Sequence, residues 1–212
     1  VSDPGVLRRI RAALENKGTG TFCFVCGRAE PTPTQSGAGQ GFLCAAGHKS
    51  PRAFIFDGKA AYTFAGERLI HETVGALVQR PAGEEQQTLL FLRQKFPFQY
   101  TIPAGHLEQG REPAAEMARE LEEETGLVVR SYAALWPDDA PLLYDPCRRG
   151  ADWHRWQLFQ VSASGTPRLS DEGRIIGWYR PPEIQALSDQ GLLTAPVRAL
   201  FARLDMIGVE GK

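Results

Sequence analysis

Apolar residues at Val6, Leu7, Ile10, Ala13 and Leu14 recur at three- and four-residue steps, which predicts an amphipathic helix from Pro4 to Lys17. Asp3 supplies its N-cap, Pro4 its first turn and Gly18 its stop. After residue 50 the pattern changes to alternating or continuous apolar segments, and Ala53 to Phe56, Ala60 to Phe64, Thr73 to Gln79 and Gln87 to Arg93 read as strands. Arg80 to Glu85, containing Pro81 and Gly83, reads as the turn of a long hairpin. Tyr100 to Ile102 is a short strand broken by Pro103-Ala104-Gly105, and Pro113 to Thr125 is strongly helical. Strands are expected near Leu127 to Leu135, Arg155 to Val161 and Ile175 to Tyr179, and helices near Pro182 to Leu187 and Ala195 to Leu204. This is a mixed α/β order. A break near residue 50 would separate an N-terminal module over residues 1–50 from one larger domain over residues 51–212.

Within that first module, Cys23-Phe24-Val25-Cys26-Gly27 places two thiols where they can meet one ion, and the following glycine permits a tight turn. Seventeen residues intervene before Cys44-Ala45-Ala46-Gly47-His48. Cys23, Cys26, Cys44 and His48 make a Cys3His set resembling a small zinc ribbon, and Glu30 to Gly41, rich in Pro, Gly, Thr and Ser, reads as its connector. A ribbon repeats Cys-x-x-Cys in its second knuckle, whereas here Gly47 holds that place and His48 follows. The alternatives are metal-free loops or a Cys23–Cys26 disulfide. Four protein ligands close a zinc site, so such an ion would fold the module and leave catalysis elsewhere.

Composition narrows the partners. The 212 residues are 42% hydrophobic and 23% charged, with 24 basic against 25 acidic side chains, so a net charge of -1 gives no global attraction to nucleic acid or anionic membrane. No apolar run approaches the ~18–20 residues of a membrane span, and Val1-Ser2-Asp3-Pro4-Gly5 lacks the basic and apolar regions of a signal peptide. A cytoplasmic protein that acts without a membrane, as a homodimer, is expected.

The chemistry concentrates between Glu112 and Glu124, where six acids accompany one arginine. On a helix Glu116, Glu120, Glu123 and Glu124 project to one side, and each like-charged i,i+4 pair costs about 0.2–0.5 kcal/mol unless a cation intervenes. Oxygen ligands at this density suit Mg2+ or Mn2+, which share their shells readily with phosphate oxygens. A solvated acidic helix is the alternative.

The segment Gly105 to Leu127 resembles the signature of the Nudix hydrolase superfamily, G-x5-E-x7-R-E-U-x-E-E-x-G-U with U a bulky aliphatic residue. Gly105, Arg119, Glu120, Leu121, Glu123, Glu124, Gly126 and Leu127 match in register over 23 residues. The first glutamate of the pattern is replaced by Arg111, with Glu112 immediately after it. The resemblance implies an α/β/α sandwich with a mixed sheet, preceded by the short helix and the ribbon. It also implies Mg2+ or Mn2+ held by Glu120, Glu123, Glu124 and the Gly105 carbonyl, with Arg119 fixing the carboxylates. The implied reaction is hydrolysis of the pyrophosphate bond in a nucleoside diphosphate linked to another group.

Glu116, one turn before Glu120, can add a carboxylate to the metal face. Glu123, Glu124 and Glu172 are candidates for the base, the last from Leu169-Ser170-Asp171-Glu172-Gly173 ahead of a strand. Arg93-Gln94 and Ile102-Pro103-Ala104-Gly105 are similar to the ADP-sugar branch, which favours an ADP-ribose-like substrate or a dinucleotide. The ribbon resembles the NADH pyrophosphatase arrangement, but that group's Ser-Gln-Pro-Trp-Pro-Phe-Pro signature is absent. Arg93 and Arg111 are candidates for phosphate contact, and Tyr144, with Phe96, Phe98, Tyr100, Trp153 and Trp156, for base stacking. Two other classes stand beside this one. In an RNA-cap-removing enzyme, Arg8, Arg9, Arg11, Arg28, Lys49 and Arg52 would meet phosphates; in an inactive nucleotide sensor or scaffold, Arg111 would mark lost catalysis.

Overall fold

A computed structural model describes residues 3–36, 39–95 and 97–208, which fall into two compact units. The first comprises Val1–Glu72, Glu108–Gly110 and Tyr144–Arg155; the second comprises Thr73–Leu107, Arg111–Leu143 and Trp156–Lys212.

In the first unit, α1 (Pro4–Lys17) starts where the Asp3 carboxylate accepts hydrogen bonds from the N–H groups of Gly5 and Val6, and it ends at Gly18 with φ 70°. Its stripe of Val6, Leu7, Ile10 and Leu14 is buried with Phe22, Phe54, Phe56, Leu69 and Ala151. Strand β1 (Gly20–Cys23) pairs antiparallel with the later β5 (Ala53–Phe56). Between them, β2 (Thr32–Ser36), β3 (Gly39–Leu43) and β4 (Lys49–Ser50) form a small antiparallel sheet. The Glu30 to Gly41 connector is therefore largely a hairpin; Gly37 and Ala38 lie outside the described residues. Periodicity concealed it because β2 and the start of β3 are held by backbone pairing and carry few apolar side chains. β6 (Tyr62–Ala65) pairs with the opening residues of β7 (Arg68–Ala82). Tyr144–Arg155 joins this unit through hydrogen bonds from Ala53 N–H to the Arg148 carbonyl and from Ile55 N–H to the Arg149 carbonyl.

The second unit is built on β7 from Thr73 onward, β8 (Glu85–Arg93), β9 (Tyr100–Thr101), β10 (Ala104–His106), α2 (Pro113–Thr125), β11 (Val128–Leu135), the first two residues of β12 (Leu142–Tyr144), β13 (Trp153–Ser164) from Trp156 onward, β14 (Gly173–Tyr179), α3 (Pro181–Asp189) and α4 (Ala195–Arg203). The sheet order is β11-β13-β7-β8-β14, with β10 on β7 and β9 on β8. The hairpin turn expected at Arg80 to Glu85 is tighter than its Pro and Gly content implies. Ladder pairing continues to Ala82↔Glu85, which leaves Gly83 and Glu84 as the turn. Leu77, Leu90, Ile102, Trp156 and Leu158 pack with Ile184, Val197, Leu200 and Phe201 from α3 and α4. Val74, Ala76 and Val78 alternate onto the opposite face of β7 and are buried as well. Burial on both faces is what an α/β sandwich requires of its central strand.

Candidate active site

Strand β10 runs antiparallel to β7, with Gly105 opposite Val74, and delivers the chain to the loop that opens α2. Glu112 caps that helix, its carboxylate accepting from the Ala115 N–H at 2.8 Å, and Pro113 fills the first turn, where no N–H is needed. Gly126 ends the helix in the left-handed conformation at φ 69°. Between the caps, Met117 and Leu121 are buried, so the acidic face is set by the apolar one.

Gly105 has no Cβ, and one placed there would overlap the Glu120 carboxylate. The Glu124 carboxylate accepts a hydrogen bond from the Ala104 N–H at 2.9 Å. Arg119 ties the rest together. Its guanidinium donates to the buried Glu116, to Glu120 at 2.5 Å and to Glu123 at 2.6 Å. Those bonds, led by Glu116, hold the Arg119 guanidinium in its charged form. Burial pushes the Glu120 carboxyl up, against the pull of Arg119. Burial raises Glu124 well above the ordinary carboxylate range, and the charges of Glu120 and Glu172 add to it, while the Ala104 N–H and Arg93 oppose. The carboxylates are thus held on a site whose electrostatics favour an added positive charge.

Of the residues singled out from the sequence, Gly105, Glu116, Arg119, Glu120, Glu123 and Glu124 come together on β10 and α2. Arg93, at the end of β8, and Glu172, in the loop before β14, lie near enough to act electrostatically on Glu124. The two segments are joined by a hydrogen bond from Gln94 N–H to the Glu172 carbonyl. Arg111 is exposed in the loop before the Glu112 cap. Tyr144 belongs to the first unit, edge-on to Trp153 with ring centroids 5.6 Å apart. Trp156 and Tyr100 pack in or against the second unit's core, and Phe96 lies outside the described residues. Arg52 is engaged within the first unit, paired with Asp152 at 2.7 Å and stacked over Phe24. The Ala104 N–H was not legible as an anchor for Glu124, because a backbone donor leaves no mark on residue type.

In the first unit, the Cys23, Cys26, Cys44 and His48 ligand atoms all lie within 4.8 Å of one another. Cys26 and Cys44 sulfurs are 3.6 Å apart, and Cys44 Sγ is 3.6 Å from His48 Nδ1. A tetrahedral zinc with bonds of ~2.3 Å to sulfur and ~2.05 Å to nitrogen separates S from S by about 3.8 Å and S from N by about 3.6 Å. The turns at Gly27 (φ 71°) and Gly47 (φ 82°) close both knuckles, so Gly47 serves the turn that brings His48 to the cluster. The Ala46 N–H and then His48 hold the Cys44 thiol down to about 6 against burial, favouring the thiolate a metal requires. None of the four cysteines is joined in a disulfide in this structure, Cys23 and Cys26 included.

The α/β fold thus carries an acidic helix, pinned by Arg119, against the strand end at Gly105. Residues 69–199 match the NUDIX domain family, well over half of the chain, and the protein belongs to it. Those residues form its Nudix pyrophosphohydrolase domain. Among solved structures, the MutT protein from Methanosarcina mazei Go1 is 20% identical, with 64% of this chain and 93% of that one covered and a TM-score of 0.52. The MutT NUDIX hydrolase from Burkholderia pseudomallei is 18% identical, with 64% and 98% covered and a TM-score of 0.51. The C. elegans Ap4A hydrolase binary complex is 18% identical, with 63% and 94% covered and a TM-score of 0.50. Among the described residues, no helix is long and apolar enough to cross a membrane.

Proposed function

We propose that the acidic face of α2 binds Mg2+ or Mn2+ and that the protein hydrolyses the pyrophosphate bond of a nucleoside diphosphate linked to another group, ADP-ribose-like or dinucleotide. One observation carries this: Glu120 and Glu124 are fitted against the backbone of Gly105 and Ala104, one through a missing Cβ and the other through a hydrogen bond. Two carboxylates raised by burial, in a cradle that a single methyl would fill, match a divalent cation in charge and donor chemistry. Glu120, Glu123, Glu124 and the Gly105 carbonyl would hold the ion, with Glu116 adding charge from one turn earlier. Bound there, it would neutralise charge on the diphosphate and acidify the attacking water.

The chain's own residues do the rest. Arg119 fixes the orientation of Glu116, Glu120 and Glu123 by ion pairing, as a positioning residue. Glu124, raised by burial, is suited to take a proton from water, with Glu123 and Glu172 as the other candidates. Water adds to one phosphorus, the bridging P–O bond breaks, and the leaving phosphate takes the electron pair. Arg93 beside Glu124 and Arg111 at the helix entry would contact phosphate oxygens. The ADP-ribose-like preference is supported by Arg93-Gln94 and Ile102-Pro103-Ala104-Gly105. Cys23, Cys26, Cys44 and His48 would hold one structural zinc, on the ligand spacing given above.

The test is a panel of ADP-ribose, dinucleoside polyphosphates, dinucleotide cofactors and capped RNA, assayed with Mg2+, Mn2+ and no metal. Metal-dependent release of a nucleoside monophosphate from a diphosphate-linked small molecule is the expected result. Turnover of capped RNA alone would favour the RNA reading, and no turnover of anything the sensor.

A further inference from the structure

A second group of metal-ligating side chains lies in the first unit, and neither the acidic helix nor the Cys3His set uses it. His71, near the start of β7, and His154, near the start of β13, are both buried, with ring centroids 5.4 Å apart and planes at 84°. Cys147 stands beside them, its sulfur 3.5 Å from His71 Nδ1. One ligand atom from each of the three falls within 4.8 Å of the other two. We propose that His71, Cys147 and His154 bind a second zinc ion.

Donor chemistry and metric both point there. Two imidazoles and a thiol, with no carboxylate among the three, suit zinc and not Mg2+ or Mn2+. Nitrogen and sulfur bound to one tetrahedral zinc sit about 3.6 Å apart, close to the His71–Cys147 separation of 3.5 Å and to the 3.6 Å of the Cys44–His48 pair.

The segment carrying Cys147 is fixed in place independently. Its N–H bonds the Ala151 carbonyl at 3.0 Å, and Arg52 donates to the carbonyls of Cys147 and Ala151, each at 2.8 Å, while pairing with Asp152. Gly150, at φ 94°, lies so close to Phe54 that a Cβ would overlap it. The thiol is therefore presented by a braced turn and the imidazoles by strands, the preorganisation a metal site needs. Sequence spacing could not reveal it, since Cys147 is 76 residues from His71.

The proposal does not rest on the pyrophosphatase reading, and elemental analysis of the purified 212-residue chain tests it without any activity assay. Two zinc ions per chain are expected in the parent, and one in Cys147→Ser, in His154→Ala and in Cys44→Ser. Zinc content in Cys147→Ser and His154→Ala equal to the parent's overturns the second site, whatever Cys44→Ser shows. Zinc lost in those two but retained in Cys44→Ser supports the second site and overturns the first. Copper or iron bound in place of zinc, and lost in Cys147→Ser, overturns the choice of ion. Should the variants fail to fold, the parent decides by alkylation and peptide mapping. Stripping zinc with a chelator should speed Cys147 modification at least about tenfold if the thiolate is ligated. An unchanged rate overturns the proposal.

Discussion

Glu124 and Ala104 are joined by a 2.9 Å hydrogen bond that ties the last turn of α2 to β10, the strand on which the glycine of the acidic site lies. Carboxylate and strand are thereby held in one geometry before any ligand arrives.

The neighbouring glycine should be intolerant of even one methyl. In Gly105→Ala the new Cβ meets the Glu120 carboxylate, so the pair must separate. The expected cost is about 1–3 kcal/mol of stability, as for other overpacked sites. Metal-dependent turnover should also fall by at least about tenfold, or ~1.4 kcal/mol in the barrier. Denaturant melts and initial rates on the two proteins check both; a variant equal to the parent in rate would show that Glu120 is not poised on this strand.

Arg111 stands where the family pattern has a glutamate, and Glu112 caps the helix beside it. The helix entry is therefore complete without an acid at position 111. Arg111→Ala is expected to raise KM by about tenfold while kcat changes less, the signature of lost ground-state binding. Initial-rate kinetics across substrate concentration separate the two constants, and a silent substitution would remove Arg111 from the substrate site.

An acid-stability difference is expected in the first unit. Burial works to raise the Asp57 carboxyl, but the hydrogen bond from Arg149, with the Lys59 N–H, outweighs it and holds Asp57 below its ordinary value. A depressed carboxylate stabilises the fold above its unfolded pKa of about 3.9, and that stability is lost as pH falls through the lower folded value. Arg149→Ala should cost about 0.2–1 kcal/mol at neutral pH, the range for ion pairs in contact with solvent, as this partly exposed one is, and the gap should narrow toward acid. Thermal melts from pH 7 to 3 measure it; a gap that widens in acid would contradict the assignment.

The acidic site was more legible than the fold around it. α2 was bounded to the residue because Pro113 and Gly126 mark its ends and the apolar spacing of Met117 and Leu121 fixes its face. α1 was legible for the same reason, through Asp3, Pro4 and Gly18. The β2–β3 hairpin was not, because its pairing is a property of backbone groups and many sequences share it. Neither was the allegiance of Tyr144–Arg155 to the first unit, which depends on long-range hydrogen bonds such as Ala53 N–H to the Arg148 carbonyl. Residue spacing reports neighbours along a helix or strand; it is silent about which segments meet after folding.

Whether the carboxylates of α2 carry metal-dependent pyrophosphate hydrolysis is decided by comparing the parent with Glu124→Gln. The amide preserves shape and the acceptor for the Ala104 N–H but removes the negative charge. With a diphosphate-linked nucleotide and saturating Mg2+, turnover should fall by at least about a hundredfold, ~2.7 kcal/mol, while the melting temperature holds or rises because a partly buried charge among other carboxylates is relieved. A variant that folds like the parent and turns over within a few-fold of it would leave the acidic face of α2 without a part in hydrolysis.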